Sequence, residues 1–72
     1  MRPTKEIYSI AKKAAGAKGW DFIKFDEAKE NYVVYQIASK AVFGTVSGIM
    51  QFVLVFKDKH VEFHDLYSLY KL

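Results

Sequence analysis

His60-Val61-Glu62-Phe63-His64-Asp65 is the one string in this 72-residue chain whose residue types and spacing suggest chemistry. On an extended strand, residues two apart project to one side at intervals of about 7 Å, so His60, Glu62 and His64 would stand in a row. Imidazoles combined with a carboxylate make up the ligand set of several zinc and non-haem iron sites. The same histidines would also make a contact that responds to pH. Metal sites of this kind gather a ligand from a second strand, and the side chains on offer there, Gln36 and Gln51, are poor donors. The string therefore reads first as the polar side of a last strand, and no cofactor is expected.

Other chemistry has thinner support. A sheet that binds single-stranded nucleic acid sets exposed aromatic rings beside a basic groove. Tyr32 and Tyr70 with Lys24, Lys40, Lys57 and Lys59 are the residues available for that role. Against it, Arg2 is the sole arginine, and lysine lacks the planar fork that reads guanine or phosphate through two bonds. Neither the aromatic signature of an RRM nor a GxxG clamp is present. Gly16-Ala17-Lys18-Gly19 is no phosphate loop, because its glycines follow a helix instead of opening one. Asp26 and Glu27 are adjacent in an expected loop, where like charges are simply solvated. No nucleophile elbow occurs, and a non-enzymatic protein is expected.

Composition limits the classes further. The chain carries 11 Lys plus Arg against 8 Asp plus Glu, a net charge of +3, which permits weak attraction to polyanions without specifying any. It has no cysteine, which removes disulfides and thiolate metal sites and suits a reducing cytoplasm. A hydrophobic content of 51% argues for a folded domain. The longest apolar run, Phe52 to Phe56, is far too short to span a bilayer. Lys12 and Lys13 interrupt the apolar stretch that a signal peptide would need. A cytoplasmic protein with no membrane partner is the expectation.

The elements that must position these residues follow from periodicity. Residues 4–18 predict a helix, with Thr4 as N-cap, Gly19 as stop, and Ile7, Ile10, Ala11, Ala14 and Ala17 on one arc. Strands are expected at about 20–25, 32–43, 49–57 and 60–70, with turns near 26–31, 44–48 and Asp58-Lys59. Loops this short join antiparallel neighbours. The predicted fold is α+β: a single domain over 1–72 in which one N-terminal helix packs on a four-stranded antiparallel meander.

Alternation assigns the faces. Val33, Tyr35 and Ile37 are expected beneath the helix with Met50, Phe52, Leu54 and Phe56, and with Val61, Phe63, Tyr67 and Leu69. The opposite face would carry Tyr32, Val34, Gln36 and Ala38, then Ile49, Gln51, Val53 and Val55, then His60, Glu62, His64 and Leu66. One helix covers one face, so this mixed second face predicts an interaction surface: a homodimer contact or another protein partner, met through the face or through an edge strand. The expected site residues are Tyr32, Val34, Gln36, Gln51, Val53, Val55, Glu62 and His64. The alternatives are a single-stranded nucleic-acid binder and a binder of small apolar ligands. The latter would use a cleft between helix and sheet near Trp20 and Tyr35, where an alanine stripe leaves space.

Overall fold

The computed structural model describes residues 1–38 and 50–71. The expected turn at 44–48, the extension of the second strand beyond Ala38, and Lys40 and Ile49 lie outside the described residues. What is described is the predicted α+β fold: helix α1 (Lys5–Ala17), then strands β1 (Phe22–Ala28), β2 (Tyr32–Ala38), β3 (Gln51–Phe56) and β4 (Val61–Asp65). A short second helix, α2 (Leu66–Tyr70), follows. The strands form one antiparallel sheet in the order β1-β2-β3-β4, a meander.

Helix α1 starts and stops where local chemistry dictates. Thr4 is extended, and its Oγ1 accepts the Ile7 amide at 3.2 Å, satisfying one of the donors the first turn leaves over. At the other end Gly19 takes a φ of +88°, the left-handed conformation that lets the chain turn back. There the Gly19 amide bonds the Gly16 carbonyl and the Trp20 amide bonds the Ala15 carbonyl, each at 3.0 Å. That pair of bonds is a Schellman motif. The buried line of the helix is Ile7, Ala11 and Ala15, with Ile10 and Ala14 half-buried at its side. The expected arc ended on Ala17, which is exposed; the stripe instead follows the four-residue spacing through Ala15.

Both ends of the sheet differ from expectation. Asp26 to Ala28 belong to β1 and not to a loop, because a bulge absorbs one residue: Phe25 pairs with Tyr35, yet Glu27 pairs with Val34. β4 ends at Asp65 instead of continuing to residue 70. Asp65 is extended and its Oδ1 accepts the Ser68 amide at 2.7 Å, so it caps α2 and ends the ladder. Between β3 and β4 the chain turns through Lys57, Asp58 and Lys59, with Lys59 at a φ of 71°. Such a three-residue loop with a left-handed last position is what closes a hairpin lacking the usual two-residue turn.

Register decides the faces, and it reverses part of the expected assignment. Tyr35 pairs with Val53, which pairs with Phe63; Val33 pairs with Val55, which pairs with Val61. These residues, with Ile37, face α1 and form the main core with Ile7, Ala11 and Ala15. Gln51 pairs with Ile37 and so also lies in a helix-side row. Val53, Val55 and Gln51 were expected on the opposite face, and Phe52, Leu54 and Phe56 beneath the helix; the structure exchanges the two sets. The reason is that β3 is apolar on both sides, so alternation gives it no phase relative to β2. Small valines sit under the alanine-lined helix. Val34, Phe52 and Leu54 make a second buried cluster on the far side, with Tyr32, Phe56 and Leu69 packed against it. The far face is therefore not bare at its centre, since α2 folds back and lays Leu69 upon it.

Candidate functional site

The far face brings His60, Glu62 and His64 to one side of β4's end of the sheet, as the spacing predicts. Glu62 lies between the imidazoles: its Oε2 meets His60 Nε2 at 3.0 Å and its Oε1 meets His64 Nε2 at 2.8 Å. His60 Nδ1 bonds the Asp58 carboxylate, and His64 Nδ1 meets Ser68 Oγ at 2.6 Å. Neither Asp58 nor Ser68 is among the expected site residues, although Asp-x-His in a turn and His-x-x-x-Ser across a strand end are the patterns that join them to the histidines. The result is a ladder of side chains running Asp58–His60–Glu62–His64–Ser68.

Hydrogen-bond inventory fixes much of its chemistry. An imidazole flanked at both nitrogens by carboxylates must donate twice, so His60 suits the doubly protonated form. Its pKa is raised, first by the hydrogen bond to Glu62 and then by that to Asp58. The Glu62 carboxyl is held low by its bonds to His64 and then His60. Asp58 is also held low, first by the His60 amide and then by its ring. The His60 ring lies flat on Phe56, with centroids 4.3 Å apart and planes 9° from parallel, and Phe56 in turn meets Tyr32 at 5.1 Å.

Set against metal binding, the ladder has both Nε2 atoms turned to the two oxygens of one carboxylate. Among the described residues no group of three or more His, Asp or Glu side chains is arranged to hold a metal ion. Ser68, His64 and Glu62 do stand in the order of a nucleophile, base and orienting acid. The Ser68 amide is engaged by Asp65, however, so it is not offered to an oxyanion, and Ser68 sits half-buried where α2 leaves β4. The contacts staple α2 to the hairpin.

A second arrangement lies on the helix side, at the seam between α1 and β1. Tyr8 and Phe25 contact Tyr35 edge to face, with centroids at 5.8 and 6.1 Å. The three rings line a groove of about 450 Å³ with Pro3, Thr4, Lys5 and Ser9. Farther along the same seam, Lys12, Ala15, Gly16, Gly19, Trp20, Asp21 and Ile23 line another hollow of about 400 Å³. Space beside Trp20 and Tyr35 is what the alanine stripe predicts.

The remaining expected site residues are dispersed. Tyr32 and Gln36 are half-buried on the far face, but Val34 is fully buried there, and Val53 and Val55 are fully buried beneath α1. Lys24 is exposed in β1, whereas Lys57 and Lys59 occupy the β3–β4 turn, where Lys59 pairs with Glu6 of α1. No helix among the described residues is long and apolar enough to cross a membrane. Comparisons with protein-family models, with curated proteins and with solved structures found no match to this chain. Geometry alone therefore carries the functional reading.

Proposed function

We propose that the protein is a non-enzymatic interaction module that self-associates along β1. The observation that carries this reading is the contrast between the two edges of the sheet. Among the described residues β1 is an outer strand, and six of its seven residues are exposed, Phe22 and Phe25 among them. β4, the other outer strand, is five residues long, half-buried throughout, and ends in α2. Strand edges join to edges of other chains unless they are shortened, covered or bent. Here one edge is shortened and stapled, and the other is left long.

The bulge at Asp26 bends the second half of β1 and confines straight pairing to Phe22–Phe25. A second copy related by a two-fold axis would lie antiparallel on that stretch and continue the sheet. The open face favoured by the sequence contributes less, because its central residues are already buried within one chain.

Light scattering across a range of protein concentrations tests this directly. The expected result is a mass that rises to a dimer. Phe22→Lys, at an exposed aromatic residue of the edge, should weaken the dimer by at least about tenfold, roughly 1.4 kcal/mol, without changing the circular dichroism. A chain that stays monomeric at every concentration, or a dimer indifferent to Phe22→Lys, overturns the reading.

A further inference from the structure

Helix α1 seats on the inner strands and covers β1 least. Its Ile7, Ala11 and Ala15 join buried residues of β2 and β3, whereas no residue of β1 is buried. Ile23 and Phe25 of β1 still belong to the helix side, because they pair with Ile37 and Tyr35. Phe25 is 45% exposed there, and Tyr8 on α1 is 39% exposed. The hollows of about 450 and 400 Å³ follow each other along this seam in the order of the helix. Lys5 and Tyr8 line the first, Lys12 and Gly16 the second.

These helix residues recur at three- and four-residue intervals, so they share one face of α1. Seven residues at 1.5 Å set Lys5 and Lys12 about 10 Å apart along it. Both lysines are exposed, and neither makes an ion pair among the described residues. Asp21 is the acid among the lining residues, so the seam keeps a positive balance. Aromatic rings stand beside the lysines: Tyr8 and Phe25 in the first hollow, Trp20 in the second. Glycine at position 16 weakens the helix relative to alanine, and packing does not call for it. A Cβ there would meet no neighbouring element within 4 Å. What the missing side chain does is keep the second hollow open.

We infer that the α1–β1 seam binds a short single-stranded nucleic acid, with phosphates on Lys5 and Lys12 and bases against Tyr8, Phe25 and Trp20. Every base has a face that stacks on an aromatic ring, so such a site works without sequence preference. Lysine suffices there, because the forked arginine contact serves the reading of base edges. An acidic peptide would engage the lysines and leave the rings unused, and a duplex keeps its bases stacked on one another. Lys24, Lys57 and Lys59, expected in this role, do not line the seam. One chain supplies every lining residue, so the site does not rest on association along β1.

A fluorescently labelled oligothymidylate, titrated by anisotropy over a range of salt, is the test. The expected result is saturable binding whose logarithm falls against log salt with a slope of about −1.4, about 0.7 for each phosphate neutralised. Lys12→Gln should make that slope shallower by about 0.7. Tyr8→Leu should lower the affinity about tenfold and leave the slope alone, since it removes a stacking ring and no charge. Gly16→Leu fills the second hollow and should also weaken binding. Circular dichroism checks that each variant keeps its fold. Oligouridylate should bind as well as oligothymidylate, because rings and lysines do not read the sugar. The inference is overturned by absence of saturable binding at low salt, by equal affinity in Tyr8→Leu, by an unchanged slope in Lys12→Gln, by equal binding of a duplex, or by binding confined to one of the two sugars.

Discussion

Glu62 holds His64 through one carboxylate oxygen, Oε1 to Nε2 at 2.8 Å, and keeps the other oxygen for His60. The two histidines differ in exposure, with side chains 14% exposed for His64 and 46% for His60. One acidic residue thus links the solvated turn to the half-buried root of α2, and the hairpin's stability becomes a function of pH.

The sign of that dependence follows from the directions of the shifts. His60 has a raised pKa, so its contribution is fully present below its ordinary value of 6.5 and is lost as pH rises through the raised value. Asp58 and Glu62 have lowered pKa values; their contributions are present above 3.8 and 4.5 and are lost as pH falls through the lowered values. The ladder is therefore strongest between about 4.5 and 6.5, where all three charges coexist. Thermal unfolding measured from acid to alkaline pH should show a maximum of this origin in that window, and Glu62→Gln should flatten it. An unchanged profile in Glu62→Gln would show that the ladder does not couple to folding. All three groups are solvent-exposed, so added salt should reduce the effect.

The turn below the ladder carries a second testable feature. Lys59 has a φ of 71°, a conformation that costs a residue with a side chain about 1–2 kcal/mol and glycine almost nothing. Lys59→Gly should stabilise the protein by about 0.5 kcal/mol, part of the gain being offset by the greater freedom of glycine in the unfolded chain. The substitution also removes the ion pair with Glu6, but both side chains are 62% exposed and such pairs contribute little. Chemical denaturation in a Glu6→Gln background separates the two effects. A loss of stability there would mean that the loop does not need the left-handed residue.

Why some of this was legible in the sequence, and some was not, comes down to which residues have one reading. Thr4 and Gly19 bracket α1 because capping and left-handed backbone are local demands, and the structure has both. Val33, Tyr35 and Ile37 faced the helix as alternation predicts, since β2 has polar Gln36 to mark its other side. β3 has only Gln51, at its first position and on the helix side; Phe52, Val53, Leu54 and Val55 are all buried, so its phase is fixed by pairing with β2. Asp65 falls inside the strand expected over 60–70 but is a helix cap, a role visible only if Ser68 is considered with it. The His60–Glu62–His64 row followed from the two-residue period, but its partners Asp58 and Ser68 come from a turn and a helix, which the strand period does not reach. Tyr35 was placed near a cleft. That its hydroxyl lacks a partner among the described residues depends on every neighbour at once, and no short-range pattern encodes it.

The covering of the far face rests on Leu69. Val34 and Leu54 are fully inaccessible and Phe52 nearly so, yet the helix above them has only five residues and none of them is buried. A helix this short has little stability of its own, so it is held by its cap at Asp65, by the Ser68–His64 contact and by the packing of Leu69. Truncating a fully buried leucine to alanine costs about 2–5 kcal/mol. Leu69 is half-buried, so Leu69→Ala should cost less, about 1–2 kcal/mol, as a lower denaturation midpoint. Amide hydrogen exchange in β3 should accelerate in the same variant, because losing this side chain opens the cluster directly above Phe52 and Leu54. A change of only a few tenths of a kcal/mol, with β3 protection intact, would show that α2 rides on the far face without closing it.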